Sequence, residues 1–95
     1  MSGLSQGDFL VLLTPEIVRV ENNISRGIFK VKLLHPGGMA QFELFDITGR
    51  RISEKEIEVN RGVNSVTLNF NLPDGIYFLR IKGRRNRFHK LILIR

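Results

Sequence analysis

The sequence contains no cysteine and no tryptophan, and it has only one tyrosine and three prolines among 95 residues. Without cysteine, the chain can form neither a disulfide framework nor a thiolate metal site. The shortage of tryptophan and tyrosine argues against an aromatic platform for nucleic-acid bases, and equally against a carbohydrate-binding face. The lack of disulfides does not fix the compartment, because a well-packed exported β-domain can fold without them.

Long hydrophobic runs are also missing. The longest run near the start covers residues 9–13, whereas a transmembrane helix needs about 20 apolar residues. The same run is too short for a signal-peptide core, and Asp8 stands beside it where basic residues would be expected. We therefore expect no transmembrane segment, and we expect the N-terminal signal of an exported parent protein to lie outside this chain.

The length allows one domain with one core. Hydrophobic residues make up 42% of the chain, which is ordinary for a folded domain. We predict a leader at residues 1–8, which could include non-native residues, followed by a single β-sandwich domain at residues 9–95.

The net charge of +6 is concentrated at the end of the chain. From residue 80 onward there are seven basic residues and no acidic one, whereas the first 79 residues carry eight basic and nine acidic residues. Such a patch can bind a polyanion, or it can keep a β-hairpin soluble and protect it from edge pairing. Both interpretations remain open for its central residues, which are Arg84, Arg85, Arg87 and Lys90.

Short apolar runs separated by Gly, Pro and Asn predict an all-β fold. Apolar and polar residues alternate with a period of two, and turn residues recur about every 8–12 positions, as in sandwiches. We predict an Ig-like β-sandwich of about seven to eight mostly antiparallel strands. The predicted strands are residues 9–13, 17–20, 28–34, 41–46, 51–59, 65–70, 76–81 and 88–94.

Several turns and strand positions can also be predicted. Residues 60–62 read as a three-residue hairpin loop with Gly62 in the left-handed conformation. Residues 36–38, 48–49 and 73–75 have the composition of turns. The last two strands are apolar on both faces, which places them in the middle of a sheet or beneath a covering segment.

No group of residues predicts catalysis, a cofactor or a metal ion. His35 and His89 lack the close ligand spacing of a zinc site. Asp46 and Asp74 lie in or beside turns, where such side chains usually bond their own backbone. The acidic face of Glu54, Glu56 and Glu58 would hold calcium only with help from a second segment. We therefore predict that the domain is not an enzyme.

Five motifs occur in a fixed order over the last three quarters of the chain. They are a polar loop followed by a strand at residues 22–31, Leu-Phe-Asp-x-x-Gly-Arg at 44–50, Asn-x-Gly at 60–62, Leu-x-x-Gly-Ile-Tyr at 72–77 and a final Lys-Leu strand at 90–94. This ordered set resembles the C-terminal sorting domains of the type IX secretion system. The Pro-Asn-Pro of the typical first loop is absent here.

The resemblance implies a secretion signal. Such domains end larger cargo proteins of certain Gram-negative bacteria, cross the periplasm, and are recognised by an outer-membrane translocon. A sortase-like peptidase commonly removes them, and the cargo stays on the cell surface or enters the medium. An accessory Ig-like structural or polyanion-binding module of an extracellular protein is the alternative.

We predict a recognition surface formed by two turns and the terminal strand. Each member also has a purely structural explanation, because Gly49 and Gly75 could serve only the turns, and Leu91 and Leu93 only the core. The predicted residues are Gly49, Arg50, Asp74, Gly75, Lys90, Leu91, Ile92, Leu93, Ile94 and Arg95.

Overall fold

A computed structural model describes residues 14–83 and 87–95 of the chain, and these residues form eight strands and no helix. No segment of this described part is a helix with the length and apolar character needed to cross a membrane. The strands are β1 (Glu16–Val20), β2 (Ile24–Ser25), β3 (Ile28–His35), β4 (Gly38–Phe45), β5 (Arg51–Val59), β6 (Gly62–Asn69), β7 (Gly75–Ile81) and β8 (His89–Leu93).

The strands form two sheets, which confirms the all-β prediction. One sheet has the order β1-β3-β6, and the other has the order β2-β8-β7-β4-β5. All pairs are antiparallel except β2 with β8, which is parallel. The predicted strand at residues 9–13 lies outside the described residues.

Alternate residues of each strand fill the space between the sheets, as the period of two predicts. From the three-stranded sheet, Phe29, Val31 and Leu33 are no more than 1% exposed. Phe42 and Leu44 meet them from the five-stranded sheet. The remaining buried hydrophobic residues are Ile17, Ala40, Val66, Leu68, Phe70, Tyr77, Leu79, Ile81, Leu91 and Leu93.

The predicted hairpin at residues 60–62 is wrong, although its glycine conformation is right. Gly62 has a φ of +107°, but β5 and β6 are not paired and belong to different sheets. The Asn64 side chain accepts a hydrogen bond from the Asn60 N–H and donates one to the Asn60 carbonyl. This segment therefore carries the chain from one sheet to the other, a path that turn composition alone cannot distinguish from a hairpin.

The last two strands lie inside the five-stranded sheet, as predicted. β7 is placed between β8 and β4, and β8 between β2 and β7. The carbonyl oxygens of Asn23, just before β2, and of Ser25 accept hydrogen bonds from the Ile92 and Ile94 N–H groups. The short β2 thus covers the edge that β8 would otherwise expose.

The loop that leads into β3 is fastened at both ends. Asn22 donates its side-chain amide to the Ile28 carbonyl and accepts the Lys30 N–H. At the other end, Gly27 has a φ of +129° and its carbonyl accepts the Phe70 N–H at 2.8 Å. A Cβ on Gly27 would lie 2.7 Å from the Phe70 carbonyl oxygen. This position therefore needs glycine for its backbone conformation and for its close contact.

We expect Gly27→Ala to destabilise the domain more than Gly38→Ala. Both residues have a positive φ, so each alanine costs about 1–3 kcal/mol of backbone strain. Only the alanine at Gly27 also meets a backbone oxygen, since an added Cβ on Gly38 has no described atom within 4 Å. Denaturant unfolding measures the loss of unfolding free energy in each variant. Equal losses would contradict the claim that the contact with Phe70 adds to the cost at Gly27.

Candidate functional site

The fold brings the two predicted turns and the end of the chain to one end of the five-stranded sheet. β4 ends at Phe45 and β8 ends at Leu93, and both pair antiparallel with β7, which begins at Gly75. The strand end of β4, the strand end of β8 and the beginning of β7 therefore lie at the same end of this sheet. We call the group formed by residues 46–50, Asp74, Gly75 and residues 94–95 the turn end.

Asp46 organises the turn between β4 and β5. Its Oδ1 accepts hydrogen bonds from the Thr48 N–H at 2.9 Å, the Thr48 hydroxyl at 2.6 Å and the Arg50 N–H at 3.0 Å. These bonds, led by that of the Thr48 side chain, hold the pKa of Asp46 below its ordinary value. The expectation that Asp46 bonds its own turn is confirmed, and Gly49 supplies a φ of +87° there.

Of the two neighbouring arginines after this turn, Arg50 is the more accessible. Its side chain is 79% exposed and lies 3.5 Å from Asp46. Arg51 instead donates to Glu43 at 3.0 Å and to Glu54 at 3.3 Å, across the outer face of the sheet. Arg50 therefore remains available at the turn end, while Arg51 is engaged in the sheet.

Asp74 bonds the end of the chain instead of its own turn, which corrects the expectation for this residue. Its Oδ1 accepts the Arg95 N–H at 3.3 Å. The Arg95 guanidinium donates to the Asn71 side chain at 3.1 Å. Because Gly75 is also paired with Leu93, the loop before β7 and the last residues of β8 form one connected unit.

Tyr77 has a role in this unit that the sequence analysis did not assign. The residue is 8% exposed, and its hydroxyl donates a 2.6 Å hydrogen bond to the Pro73 carbonyl. This bond joins the last residue of the Leu-x-x-Gly-Ile-Tyr motif to its second residue. Unlike Gly49, Gly75 does not have a positive φ, and a Cβ there would only touch the Tyr77 ring at 3.6 Å. In the sequence, the signal for this role was a tyrosine two residues after a Pro-Asp-Gly turn.

The terminal strand is divided between core and surface. Leu91 and Leu93 are each 1% exposed and face the other sheet, so they fill the core. Ile92 is half-buried on the outer face, and Lys90, Ile94 and Arg95 are exposed. The strand ends at Leu93, so the last two predicted residues lie beyond it. Only part of the predicted terminal segment can therefore meet a partner while the domain is folded.

The predicted basic patch is described only in part. Arg84 and Arg85 lie outside the described residues, whereas Arg87 and Lys90 are described and exposed. Lys90 lies directly opposite Phe78 on the outer face of the sheet. Because Phe78 is also paired with Phe45, the last residue of β4, Lys90 lies near the turn end.

Burial shapes the environment of both histidines. His35 is buried, and its Nδ1 accepts a hydrogen bond from the Gly37 N–H at 2.9 Å. Burial lowers the pKa of His35, and a hydrogen bond with the Met39 backbone opposes this shift with a smaller effect. Burial also lowers the pKa of His89, and the charge of Arg87 adds to this effect. Within residues 14–83 and 87–95, no three histidine, aspartate or glutamate side chains are grouped closely enough to hold a metal ion.

A buried carboxylate lies next to the turn end on the outer face. Glu43 is 3% exposed, and its Oε1 accepts hydrogen bonds from Arg80 Nε at 3.1 Å and Nη2 at 2.8 Å. Its Oε2 accepts one from Arg51. Burial alone would raise the pKa of Glu43, but the hydrogen bonds and charges of Arg80 and Arg51 outweigh it and lower the pKa. Glu43 thus joins β4, β5 and β7 across their outer face.

We expect Glu43→Ala to reduce the free energy of unfolding by about 3 kcal/mol, because it leaves the guanidinium of Arg80 partly buried without its carboxylate. Glu54→Ala is the matched control and should cost less than about 1 kcal/mol, since its ion pair with Arg51 is largely exposed. Denaturant unfolding of both variants checks the difference. Similar losses would show that burial of Glu43 does not strengthen the cluster.

The same cluster predicts a pH dependence. Since the folded-state pKa of Glu43 is lowered, its contribution is fully present above the ordinary glutamate pKa and is lost as the pH falls through the lowered value. Glu43→Gln, which mimics the protonated side chain, should therefore be most destabilising near neutral pH and progressively less so in acid. Unfolding curves of the unaltered domain and of Glu43→Gln over a series of pH values measure this difference in free energy of unfolding. A difference that stays constant down to strong acid would contradict the prediction.

Comparison with known families supports the resemblance that the five ordered motifs indicated. A search of curated proteins found no match to the chain. The family model described as the secretion system C-terminal sorting domain matches residues 22–95, which is more than three quarters of the sequence. The match begins at Asn22, which fastens the loop before β3, and it includes the whole turn end. The chain therefore belongs to the C-terminal sorting domain family of the type IX secretion system.

Proposed function

We propose that the turn end is the surface by which an outer-membrane translocon of the type IX system recognises this domain. The domain would then direct a cargo joined upstream of it through the periplasm to the cell surface or medium. The observation that carries the proposal is that three segments, far apart in the sequence, meet at one end of one sheet. Membership of the sorting family supplies the function that this surface would serve.

Within the turn end, the exposed side chains are the ones that would make contact. Arg50 and Arg95 are exposed, and Ile94 is 55% exposed. Lys90 adds a further exposed cation on the same strand as the chain end. The buried Leu91 and Leu93 would act indirectly by holding β8 against β7. Gly49, Asp74 and Gly75 would likewise position the contact residues through their turns.

The charge of the turn end suggests what the contacted surface is like. The carboxylate of Asp46 is engaged by three hydrogen bonds of its own turn, and that of Asp74 accepts the Arg95 N–H. The cations Arg50, Lys90 and Arg95 are exposed and outnumber these two side-chain carboxylates, so positive charge is in excess. An acidic surface on the translocon would complement them and would speed the encounter.

The domain itself would carry no catalytic step. Removal of the domain would be performed by a sortase-like peptidase, and any activity of the exported protein would belong to the cargo. The motifs of the domain supply turns, strand pairs, core residues and the exposed side chains of the turn end. Its contribution is therefore recognition by a folded surface.

An export assay with charge reversals tests the proposal. The 95-residue chain is fused behind a passenger with its own N-terminal signal, in a strain with a working type IX system and in a translocon-null strain. Arg50→Glu with Arg95→Glu should reduce the surface-exposed fraction at least about tenfold, because favourable charge pairs become repulsive. Lys30→Glu with Arg19→Glu, on exposed positions of the three-stranded sheet, is the matched control and should export normally.

The assay separates two failures. Export of the unaltered fusion in the translocon-null strain would contradict the sorting function. Normal export of the Arg50 and Arg95 variant would contradict the assignment of the surface. Protease resistance of each purified fusion confirms that the altered domains are folded before localisation is compared.

A further inference from the structure

An open aromatic groove lies on the outer face of the five-stranded sheet and extends into the turn end at residues 46–49. Its volume is about 350 Å³. Three phenylalanines from separate segments contribute to it, and Ile47, which is 72% exposed, stands at its side. The lining residues are Phe45, Asp46, Ile47, Gly49, Phe78 and Phe88. The side chains that fill the core between the sheets take no part in this groove.

The groove is held in shape by specific ring contacts. Phe45 and Phe88 meet edge to face, with centroids 5.5 Å apart and planes inclined at 80°. The Arg80 guanidinium lies 4.9 Å from the Phe45 ring centroid and 5.3 Å from that of Phe88. Arg80 is itself fixed by its two hydrogen bonds to Glu43. The rings are thus preorganised, which lowers the entropic cost of placing a ligand between them.

Exposed cations border the groove. Arg50 follows Gly49 at its side, and Lys90 is directly opposite Phe78 on the neighbouring strand. The nearby carboxylates are outnumbered by cations, since Asp46 lies 3.5 Å from Arg50 and Glu43 is paired with Arg80 and Arg51, which leaves the charge of Lys90 in excess. An apolar site between accessible cations favours a ligand that has an apolar side chain with negative charges on either side.

The other charges on this face decide between a peptide and a membrane. Glu54, Glu56 and Glu58 are exposed on β5, and their pairing with β4 places them on the same face as Glu43. A flat anionic membrane covering this face would meet that acidic row and be repelled by it. A narrow extended peptide over the groove between Arg50 and Lys90 does not have to cover Glu56 and Glu58, which are paired with Gln41 and Met39 towards the other end of β4.

We propose that this groove binds an acidic peptide segment of a partner protein, with one large aliphatic or aromatic side chain of the segment placed among Phe45, Phe78 and Phe88. The contact is made on the face of the sheet, so it does not require strand addition at an edge. This inference goes beyond the proposed sorting function. The site is a property of the folded domain, whichever partner protein supplies the peptide.

NMR titration of the isotope-labelled 95-residue chain tests the proposal. The probes are the synthetic peptide GEDLFLDEG, its basic counterpart GKKLFLKKG, its apolar-deleted counterpart GEDSGSDEG, and phosphatidylglycerol vesicles. The first peptide should shift the resonances of Phe45, Ile47, Phe78 and Phe88 in a saturable manner. Neither altered peptide should bind comparably, because each lacks one of the two required features.

Two variants and a control separate binding from folding. Ile47→Ser and Lys90→Gln should each weaken the affinity for GEDLFLDEG about tenfold, which corresponds to about 1.4 kcal/mol. Val63→Ser removes a residue that is 67% exposed on the three-stranded sheet and should leave the affinity unchanged. Spectral dispersion of each variant verifies the fold.

Each alternative result overturns the inference. Shifts located outside the groove, equal binding of the basic peptide, or the absence of binding would each do so. Binding of vesicles without binding of the acidic peptide would identify a membrane contact instead. Because purified components are used, a failure here leaves the export assay, and therefore the sorting proposal, unaffected.

Discussion

The docking of the terminal strand against β7 is the constraint on which the rest of this structure depends. Leu91 and Leu93 enter the core from β8, and Gly75 is paired with Leu93 where β7 begins. Without β8, the parallel strand β2 would lose its only described neighbour in the sheet. The hydrogen bond from Arg95 to Asp74 would also be lost. The last residues of the chain thus complete the core and assemble the turn end at the same time.

If the turn end is the sorting signal, as proposed, that signal is a property of the folded domain. Arg50 is presented by a turn that the Asp46 carboxylate holds, and Arg95 is presented by a strand whose leucines are buried. A linear peptide with the last residues of the sequence would have neither support. The buried Glu43, with its partners Arg80 and Arg51, adds a second connection between the strands that border the aromatic groove. Recognition at the proposed surface would therefore depend on the same strand pairings as stability.

Much of the fold could be predicted because strand alternation and turn composition are local signals. The buried positions of Phe29, Val31 and Leu33 follow directly from the period of two. The path after β5 could not be predicted, because a glycine with positive φ suits both a hairpin and a crossing between sheets. The burial of Glu43 was missed because its partner Arg80 is 37 residues away in the sequence. The groove was missed for the same reason, since its rings come from three separate segments.

Amide-resolved hydrogen exchange of the 95-residue chain most directly tests whether the terminal strand is integral to the core. The Ile92 and Ile94 N–H groups face β2, so the N–H groups of Leu91 and Leu93 face β7. We expect these two amides to exchange only by global unfolding, with the same opening free energy as the amides of Val31 and Leu33 in the core of the three-stranded sheet. Much faster exchange of Leu91 and Leu93 alone would show that β8 detaches while the sandwich stays folded. That result would contradict the claim that the signal exists only as part of the intact fold.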